Sequence, residues 1–193
     1  MLWSVLKGLR RAERPRAASE RRLHIGGQVR TPGWEVLNAV PGAAVDHAGN
    51  ANDLRRFEDR SFAELYASHI LEHLDHKGEM QRALREWLRV LVPGGRLCVS
   101  VPDLALLGAM LARDDLELQQ RFRVIAMIFG GHDDAYDYHK VGFDVHVLRH
   151  FLEEAGFVEC ERVADFGLFD DTSRLVFAGT PISLNMTARR PHD

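Results

Sequence analysis

The stretch Phe62–Pro102 constrains the fold most strongly, because it contains a complete strand–helix–strand pattern. Phe62–Tyr66 is a short, mostly apolar run that suits a buried strand. Apolar residues then recur at helical spacing across Lys77–Leu91, and they are Met80, Leu84, Trp87, Leu88 and Leu91. Pro93–Gly95 ends this helix, because proline cannot continue it and glycine accepts a left-handed turn. Arg96–Val101 follows as a second buried strand.

This pattern predicts one βαβ unit of a parallel sheet, with a right-handed crossover. The small and polar residues Ala67, Ser68 and His69 follow the first strand and form a loop at its carboxyl end. Open α/β sheets bind their ligands outside the carboxyl ends of the strands. We therefore place a candidate ligand site at Ser68 and His69.

A second candidate site lies at the glycine pair after the predicted strand Leu23–Ile25. Glycine at Gly26 and Gly27 would let a ligand come close to the backbone, because a side chain would occupy that space. Only six residues separate Gly27 from Trp34, whereas a crossover with a helix takes about 10–12 residues. The first crossover helix is therefore expected to be missing or reduced before the next strand, Trp34–Leu37.

The remaining patterns predict an α/β domain that continues through the chain. Asp103 and Asp144 have the side chains of helix N-caps, and Gly156 ends the second of the capped helices. Leu175–Gly179 is predicted as the last strand, antiparallel to its neighbours. The predicted helices and other strands are Ala43–His47, Leu104–Leu111, Leu116–Phe129, Val145–Ala155 and Phe157–Val163, and 187–193 is expected to be a loose tail.

Four residues around the central loop could carry chemistry, because His69, Glu72, His73 and His76 recur three or four positions apart. On a helix they would share one face. A metal site is one interpretation, but the segment offers no clear third ligand, and no metal is predicted. His69 suits a catalytic base at the strand end, and His73 suits either a structural role or a substrate contact.

The loop Gly130–Lys140 is polar, aromatic and opened by two glycines. Within the insertion 103–143 it is expected to cover the open end of the site as a substrate lid. His139 would supply a second acid–base group, and Asp133, Tyr136 and Tyr138 would contact the substrate. The alternative is a solvated surface loop.

The size and composition predict a single globular domain. The chain has 193 residues, of which 46% are apolar and 27% are charged. Its two cysteines, Cys98 and Cys160, make no disulfide framework, which favours a reducing cytoplasm. The net charge of -3 gives no reason to expect nucleic-acid binding.

Charge is distributed unevenly along the chain. Residues 1–22 hold seven basic residues and two acidic ones, giving +5, so the remainder carries -8. An amphipathic arm of this kind is expected either to dock on the domain or to contact anionic lipid or a partner protein. The domain itself is expected to span 23–186.

Six short motifs, taken together, resemble those of the class I S-adenosylmethionine-dependent methyltransferases, in particular a family of small bacterial methyltransferase-like proteins. They occur in the family's order and are LHIGG at 23–27, PGW at 32–34, ASHILEH at 67–73, VPGGRL at 92–97, YHKVGF at 138–143 and FLEEAGF at 151–157. The resemblance implies a Rossmann-like sheet that is mostly parallel with an antiparallel last strand. It also implies S-adenosylmethionine as cofactor.

The resemblance assigns cofactor roles to particular positions. Gly26 and Gly27 would adjoin the methionine part, and Asn38 would meet the ribose where the family usually has an acid. Residues 49–54 resemble the segment that binds adenine, so Asp53 and Leu54 would contact that ring, although an N-cap at Asn52 or Asp53 explains them equally well. Ser68 completes the predicted cofactor set.

The predicted function is methyl transfer to a small-molecule or saccharide-type acceptor, with His69 and His139 accepting the proton. The alternative is a non-catalytic binding or scaffold protein, because Gln28 replaces a glycine and amides replace acids at Asn38 and Asn50. A nicotinamide enzyme is disfavoured, since residues 26–31 lack the Gly-x-Gly-x-x-Gly pattern. A homodimer is the expected assembly.

Overall fold

A computed structural model describes residues 17–133 and 135–192 and shows one sheet flanked by helices. The strands of this sheet alternate with helices and loops along the chain. The strands are β1 (Arg22–Ile25), β2 (Glu35–Asn38), β3 (His47–Ala48), β4 (Phe62–Ser68), β5 (Leu91–Pro102), β6 (Val158–Val163) and β9 (Ser183–Arg189), with a separate hairpin of β7 (Val176–Phe177) and β8 (Thr180–Pro181). The helices are α1 (Glu79–Val90), α2 (Leu104–Leu111), α3 (Leu118–Phe129) and α4 (Val145–Glu154).

The seven strands of the main sheet lie in the order β3-β2-β1-β4-β5-β9-β6. Neighbours from β3 to β5 are parallel, and β9 is antiparallel to both β5 and β6. The predicted Rossmann-like fold with an antiparallel last strand is confirmed. The short first crossover is confirmed as well, because a loop with no helix connects β1 to β2 across residues 26–34.

The unit β4–α1–β5 forms the centre of the main core. α1 buries Met80, Leu84 and Trp87 completely against the sheet, and the indole N–H of Trp87 donates to the Ala51 carbonyl at 2.8 Å. Burial of large apolar side chains contributes about 1.5–3 kcal/mol each. The apolar periodicity of this helix therefore reflects its packing, as predicted.

The Pro-Gly-Gly segment is not the separate turn that was predicted, because β5 already begins at Leu91. Phe62 pairs with Leu91, and Glu64 pairs with Arg96. Two residue steps on β4 therefore face five on β5, and Pro93–Gly95 form the resulting bulge. Gly94 has a φ of 71° there, which glycine adopts without strain.

The opposite face of the sheet is covered by a loop segment after β6. His24, Tyr66 and Cys98 point to this face, where Phe166 and Phe169 pack against the ring of Tyr66. The Tyr66 hydroxyl donates to the carboxylate of Asp171 at 2.8 Å and lies 3.1 Å from the Ser173 hydroxyl. Burial is the largest cause that raises the pKa of Tyr66, so it stays a donor.

The predicted last strand is wrong. Val176–Phe177 lies in the small hairpin, and Ser183–Arg189 takes the place between β5 and β6. The expected loose tail is therefore also wrong for residues 187–189, which belong to β9. β9 alternates polar and apolar residues, with Leu184 and Met186 in the main core.

Three smaller expectations also change. The strand predicted at Ala43–His47 contains only His47 and continues to Ala48. No helix forms between Gly49 and Ser61, so the N-cap interpretation of Asn52 or Asp53 is wrong. Most of the basic arm, residues 1–16, lies outside the described part of the chain.

The end of the arm belongs to the domain. Arg21 forms two hydrogen bonds with the Glu35 carboxylate, at 2.8 and 2.9 Å, and Arg22 begins β1. The domain boundary therefore lies before Arg21.

Candidate functional site

Three parallel strands present their carboxyl ends side by side. Because β1 pairs in parallel with β2 and β4, Gly26, Asn38 and Ser68 lie at adjacent positions. Gly26 directly follows β1, and Asn38 and Ser68 are the last residues of β2 and β4. This edge is where an open α/β sheet binds ligands. The structure thus brings together four of the six residues predicted for the cofactor, because Gly27 follows Gly26 directly.

The Asn38 side chain closes the glycine turn. Its amide nitrogen donates to the carbonyls of Gly26 at 3.2 Å and Gly27 at 3.0 Å. Its amide oxygen accepts from the Val40 N–H at 2.9 Å. Both amide hydrogens are therefore engaged, and one lone pair of the oxygen is left for a further donor.

The two glycines are packed tightly by protein side chains. A Cβ on Gly26 would lie 2.1 Å from Cδ1 of Ile70, and a Cβ on Gly27 would lie 2.8 Å from the ring of His24. Gly26 also has a φ of 81°. The turn therefore requires glycine for its packing and, at Gly26, for its backbone conformation.

His24 lies below this turn as a buried, uncharged histidine. It is 8% exposed, and burial lowers its pKa to about 4, against a weaker opposite effect of Asp171. Its Nδ1 has no hydrogen-bond partner. The ring therefore acts as an aromatic packing element, next to Tyr66 and Phe169.

Asp53 and Leu54 are not arranged as the adenine interpretation expects. The Asp53 carboxylate binds the Arg55 guanidinium at 2.7 and 2.8 Å on the surface, and the bonds to Arg55 lower its pKa. Leu54 is fully buried in the main core. A side chain enclosed by protein has no surface for a ring to stack on, which argues against Leu54 as a cofactor residue.

His69 stands at the end of β4 in a strained conformation. Its φ is 54°, a left-handed value that costs a non-glycine residue about 1–2 kcal/mol. Its N–H donates to the Ser100 carbonyl at 2.9 Å. Strain of this kind is often found at functional positions.

The His69 ring lies between a serine and a buried carboxylate. Nε2 is 2.9 Å from the Ser183 hydroxyl, which itself donates to the Thr172 carbonyl, so Nε2–H donates to Ser183. Nδ1 is 3.2 Å from Oε1 of Glu72. This distance is short enough for an ion pair, yet neither Glu72 oxygen has a partner in hydrogen-bond geometry.

Glu72, His73 and His139 form a cluster beside His69. One possible ligand atom from each lies within 4.8 Å of the other two, and the rings of His73 and His139 meet edge to face at 4.8 Å. The His69–His76 segment is not an α-helix, because only a 3-10 turn forms at Leu71–His73. His76 is exposed and takes no part in the cluster.

The loop Gly130–Lys140 delivers His139 to this cluster. The N–H of Lys140 donates to the Glu72 carbonyl at 2.7 Å, and Nζ of Lys140 contacts Glu79 at 2.9 Å. His139 Nδ1 lies 3.2 Å from the Ile128 carbonyl, so Nδ1–H donates and Nε2 keeps its lone pair. Burial is the main effect that lowers the pKa of His139, although Glu72 opposes it.

The other predicted lid residues point to solvent. Asp133 is exposed, Tyr136 is 60% exposed, and Tyr138 stacks on the ring of His132 at 4.1 Å. Of the four predicted lid residues Asp133, Tyr136, Tyr138 and His139, only His139 reaches the site. The substrate roles of the other three stay predictions.

Sequence reasoning missed Ile70, Ser183 and the role of Glu72. Ile70 reads as an ordinary apolar residue, and Ser183 lies 114 positions from the histidine that it contacts. The spacing of Glu72 from His69 was a usable signal. What was absent from the local pattern was His139, the third member of the cluster.

The comparisons with known proteins agree with this fold. Residues 35–99, about a third of the chain, match the methyltransferase domain family. No curated protein matches the sequence.

Solved structures of methyltransferases are similar in fold at low sequence identity. A SAM-dependent methyltransferase from Archaeoglobus fulgidus is 14% identical with a TM-score of 0.56, and the match covers 88% of this chain and 86% of that one. The 1,6-didemethyltoxoflavin-N1-methyltransferase of Burkholderia thailandensis, solved with S-adenosylhomocysteine, is 17% identical with a TM-score of 0.55 and coverages of 89% and 71%. A SAM-dependent methyltransferase from Thermotoga maritima is 19% identical with a TM-score of 0.53, and the match covers 88% of this chain and 82% of that one.

Within the described residues, no helix has both the length and the apolar character needed to cross a bilayer.

Proposed function

We propose that this protein is an S-adenosylmethionine-dependent methyltransferase that acts on a small-molecule acceptor. The observation that carries the proposal is the shared edge of Gly26, Asn38 and Ser68, with His69 directly beyond it. The methyltransferase domain match over 35–99 supports it. Structural neighbours that are methyltransferases, one of them holding S-adenosylhomocysteine, support the cofactor.

The residues at this edge are compatible with the cofactor. The backbone of Gly26 and Gly27 would border its methionine part, and Ile70 would form the apolar wall of that turn. Asn38 has one free lone pair for a ribose hydroxyl. An amide oxygen is a weaker acceptor than the usual carboxylate, so the ribose contact is expected to be weak.

When bound, the cofactor supplies a methyl group made electrophilic by its sulfonium. The protein's task is to hold the acceptor in line and to take up a proton. His139 suits the second role, because its lowered pKa keeps it neutral near pH 7 and its Nε2 carries a lone pair. His69 lies nearest the end of β4, where the hydrogen bond to Ser183 fixes the orientation of its ring.

Calorimetry with S-adenosylhomocysteine tests the proposal directly on the wild-type protein. We expect a 1:1 complex with a micromolar dissociation constant. Ser68→Val should weaken binding by ten-fold or more, whereas Thr180→Val, in the separate hairpin and outside the edge, should leave it unchanged. No heat and no thermal shift in the wild-type protein would overturn the proposal and favour the scaffold alternative.

The acceptor separates catalysis from binding alone. With the cofactor bound, release of S-adenosylhomocysteine in the presence of pooled hydroxylated small molecules and saccharides would show turnover. His139→Asn keeps a donor for the Ile128 carbonyl but removes Nε2, so it should lower the rate by about 10²–10⁴-fold. Cofactor binding without turnover on any acceptor would support the scaffold.

Three further sequence predictions stay untested. They are a homodimer, a cytoplasmic location and a membrane or protein contact through residues 1–22. The last of these concerns residues that are mostly outside the described part of the chain.

A further inference from the structure

The most unusual group in the molecule is the carboxylate of Glu72. The residue is 1% exposed, and neither side-chain oxygen has a hydrogen-bond partner among the described residues. A buried carboxylate without hydrogen bonds is costly unless a charge compensates it. Two imidazole rings, those of His73 and His139, lie beside it.

We propose that Glu72, His73 and His139 bind a divalent first-row transition-metal ion. Their three ligand atoms lie within 4.8 Å of one another. Around a tetrahedral ion with bonds of about 2.1 Å, ligand atoms are separated by about 3.4 Å. The side chains therefore need to close by roughly one ångström, which changes of rotamer supply.

The surroundings of the cluster hold its members in place. The Ile128 carbonyl accepts from Nδ1–H of His139, which directs Nε2 away from α3. Histidine ligands of metals usually donate their second N–H in this way. Nδ1 of His73 is buried without a partner, and the Glu72 carbonyl accepts from the N–H of Lys140, which joins the two segments of the site.

The donor set limits the kind of ion. Two imidazoles and one carboxylate suit zinc, manganese, iron or cobalt as divalent ions and leave at least one position open for water or a ligand oxygen. Magnesium and calcium prefer oxygen donors alone. The set has no thiolate, so a soft ion such as monovalent copper is not expected.

One rival explanation for the Glu72 carboxylate is its contact with His69, whose Nδ1 lies 3.2 Å away. In that case the cluster needs no metal, and His73 and His139 are ordinary neighbours. The two explanations differ in a measurable way. Only the metal site makes Glu72 and His139 depend on each other for binding an added ion.

Cobalt provides the probe, because Co²⁺ in a low-coordinate nitrogen and oxygen site gives visible absorption. Full-length protein, freed of any histidine tag and treated with a chelator, is titrated with CoCl₂ by absorption and calorimetry. We expect one Co²⁺ per chain with a micromolar or lower dissociation constant, displaced by ZnCl₂. The titration is run without S-adenosylmethionine, so it tests the ion site separately from cofactor binding. An ion on Nε2 of His139 would occupy the lone pair assigned above to proton uptake, and that role would then fall to His69.

Three variants locate the ion. Glu72→Gln and His139→Asn should each weaken Co²⁺ binding by at least 100-fold and remove the visible band, beyond the 10–100-fold typical of outer partners. His76→Ala, which removes an exposed histidine of the same segment, should bind like the wild type. Circular dichroism confirms that each variant is folded.

Two results would overturn the proposal. One is a wild-type protein that binds no Co²⁺ up to about 100 μM, a concentration well above that of specific protein sites. The other is unchanged Co²⁺ affinity in folded Glu72→Gln. Either result would leave S-adenosylhomocysteine binding, measured separately, as the test of the proposed function.

Discussion

The carboxyl ends of β1 and β4 lie next to each other but differ in how many of their polar groups have hydrogen-bond partners within the protein. At the end of β1, the amide of Asn38 binds both glycine carbonyls, and the side chains of Ile70 and His24 fill the space around the turn. At the end of β4, His69 is strained and the Glu72 carboxylate has no hydrogen-bond partner. The first region has protein partners for most of its polar groups and keeps one lone pair of Asn38 for a ligand. The second retains more groups that a ligand or ion can satisfy.

This difference has a simple energetic meaning. Substitutions at the end of β1 should destabilise the protein, because the turn is tightly packed and both glycine carbonyls accept from Asn38. Substitutions at the end of β4 should be neutral or stabilising in the absence of a ligand, as is common where function requires unsatisfied groups. Four measurements test this contrast.

The largest effect is expected from Gly26→Ala. A left-handed alanine costs about 1–2 kcal/mol, and the overlap with Ile70 adds about 1–3 kcal/mol. We therefore expect urea unfolding to show a loss of about 3 kcal/mol. Gly33→Ala is the matched control, because Gly33 has a φ of 89° with nothing within 4 Å of a Cβ, and it should lose only about 1 kcal/mol.

The double variant Gly26→Ala/Ile70→Ala sharpens this result. If the overlap with Ile70 is the cause, the two losses should be less than additive. Full additivity would mean that the turn and Ile70 are energetically independent.

The pH dependence of stability is the next largest effect. The pKa of His24 is about 4 in the folded protein and about 6.5 when unfolded, so the unfolded state binds the extra proton. Stability is then complete above pH 6.5 and falls between pH 6.5 and 4, by about 3 kcal/mol in total. His139, whose pKa is also lowered, acts in the same direction.

His24→Phe isolates the contribution of His24. The ring contacts with Tyr66 and Phe169 can persist, and Nδ1 loses no hydrogen bond because it has none. The slope of stability against pH should become flatter in this variant. An unchanged slope would show that another group titrates in this range.

A smaller loss is expected from Asn38→Ala. Removing its two hydrogen bonds to the turn and the one from the Val40 N–H should cost about 2 kcal/mol, since each contributes about 0.5–1.5 kcal/mol and the turn is partly exposed. Asn50→Ala, at an exposed side chain, should change the unfolding free energy by less than about 0.5 kcal/mol. If Asn38→Ala and Asn50→Ala changed the unfolding free energy equally, the hydrogen bonds of Asn38 would not stabilise the end of β1.

The opposite sign is expected at the end of β4. Glu72→Gln removes a buried charge and should raise the stability of metal-free protein by about 1 kcal/mol. Glu79→Gln is the control, because its carboxylate accepts from the Asp75 N–H and from Lys140, and it should lose about 0.5 kcal/mol. A loss at Glu72→Gln would show that the contact with His69 already compensates the carboxylate.

The βαβ unit and the glycine turn were predictable because their signals are local. Helical periodicity over α1 and the short distance from Gly27 to Trp34 needed no tertiary information. The end of the sheet was predicted wrongly, although β9 alternates polar and apolar residues from Ser183 onward. The continuous apolar run at Leu175–Gly179 predicts a strand, but the period-two pattern of β9 is the better sign of a strand in an antiparallel position.

The candidate site was only partly predictable for a different reason. Gly26, Asn38 and Ser68 could be grouped because parallel strands end at one edge. The neighbours of His69 and Glu72 come from far along the chain. Ser183 contacts His69, and His139 lies beside Glu72. No spacing rule within one segment can reveal a neighbour that lies 66 or 67 residues away in the sequence, as His139 does from His73 and Glu72.

The position of β9 has a consequence for how the protein forms in the cell. The strand lies between β5 and β6, so a nascent chain cannot join β6 to the sheet before Ser183–Arg189 has left the ribosome. Until then the backbone N–H and C=O groups on that edge of β5 have no neighbouring strand, and other chains can pair with them. A premature stop codon before Leu184 would leave that edge permanently exposed, and such products should depend on chaperones or aggregate.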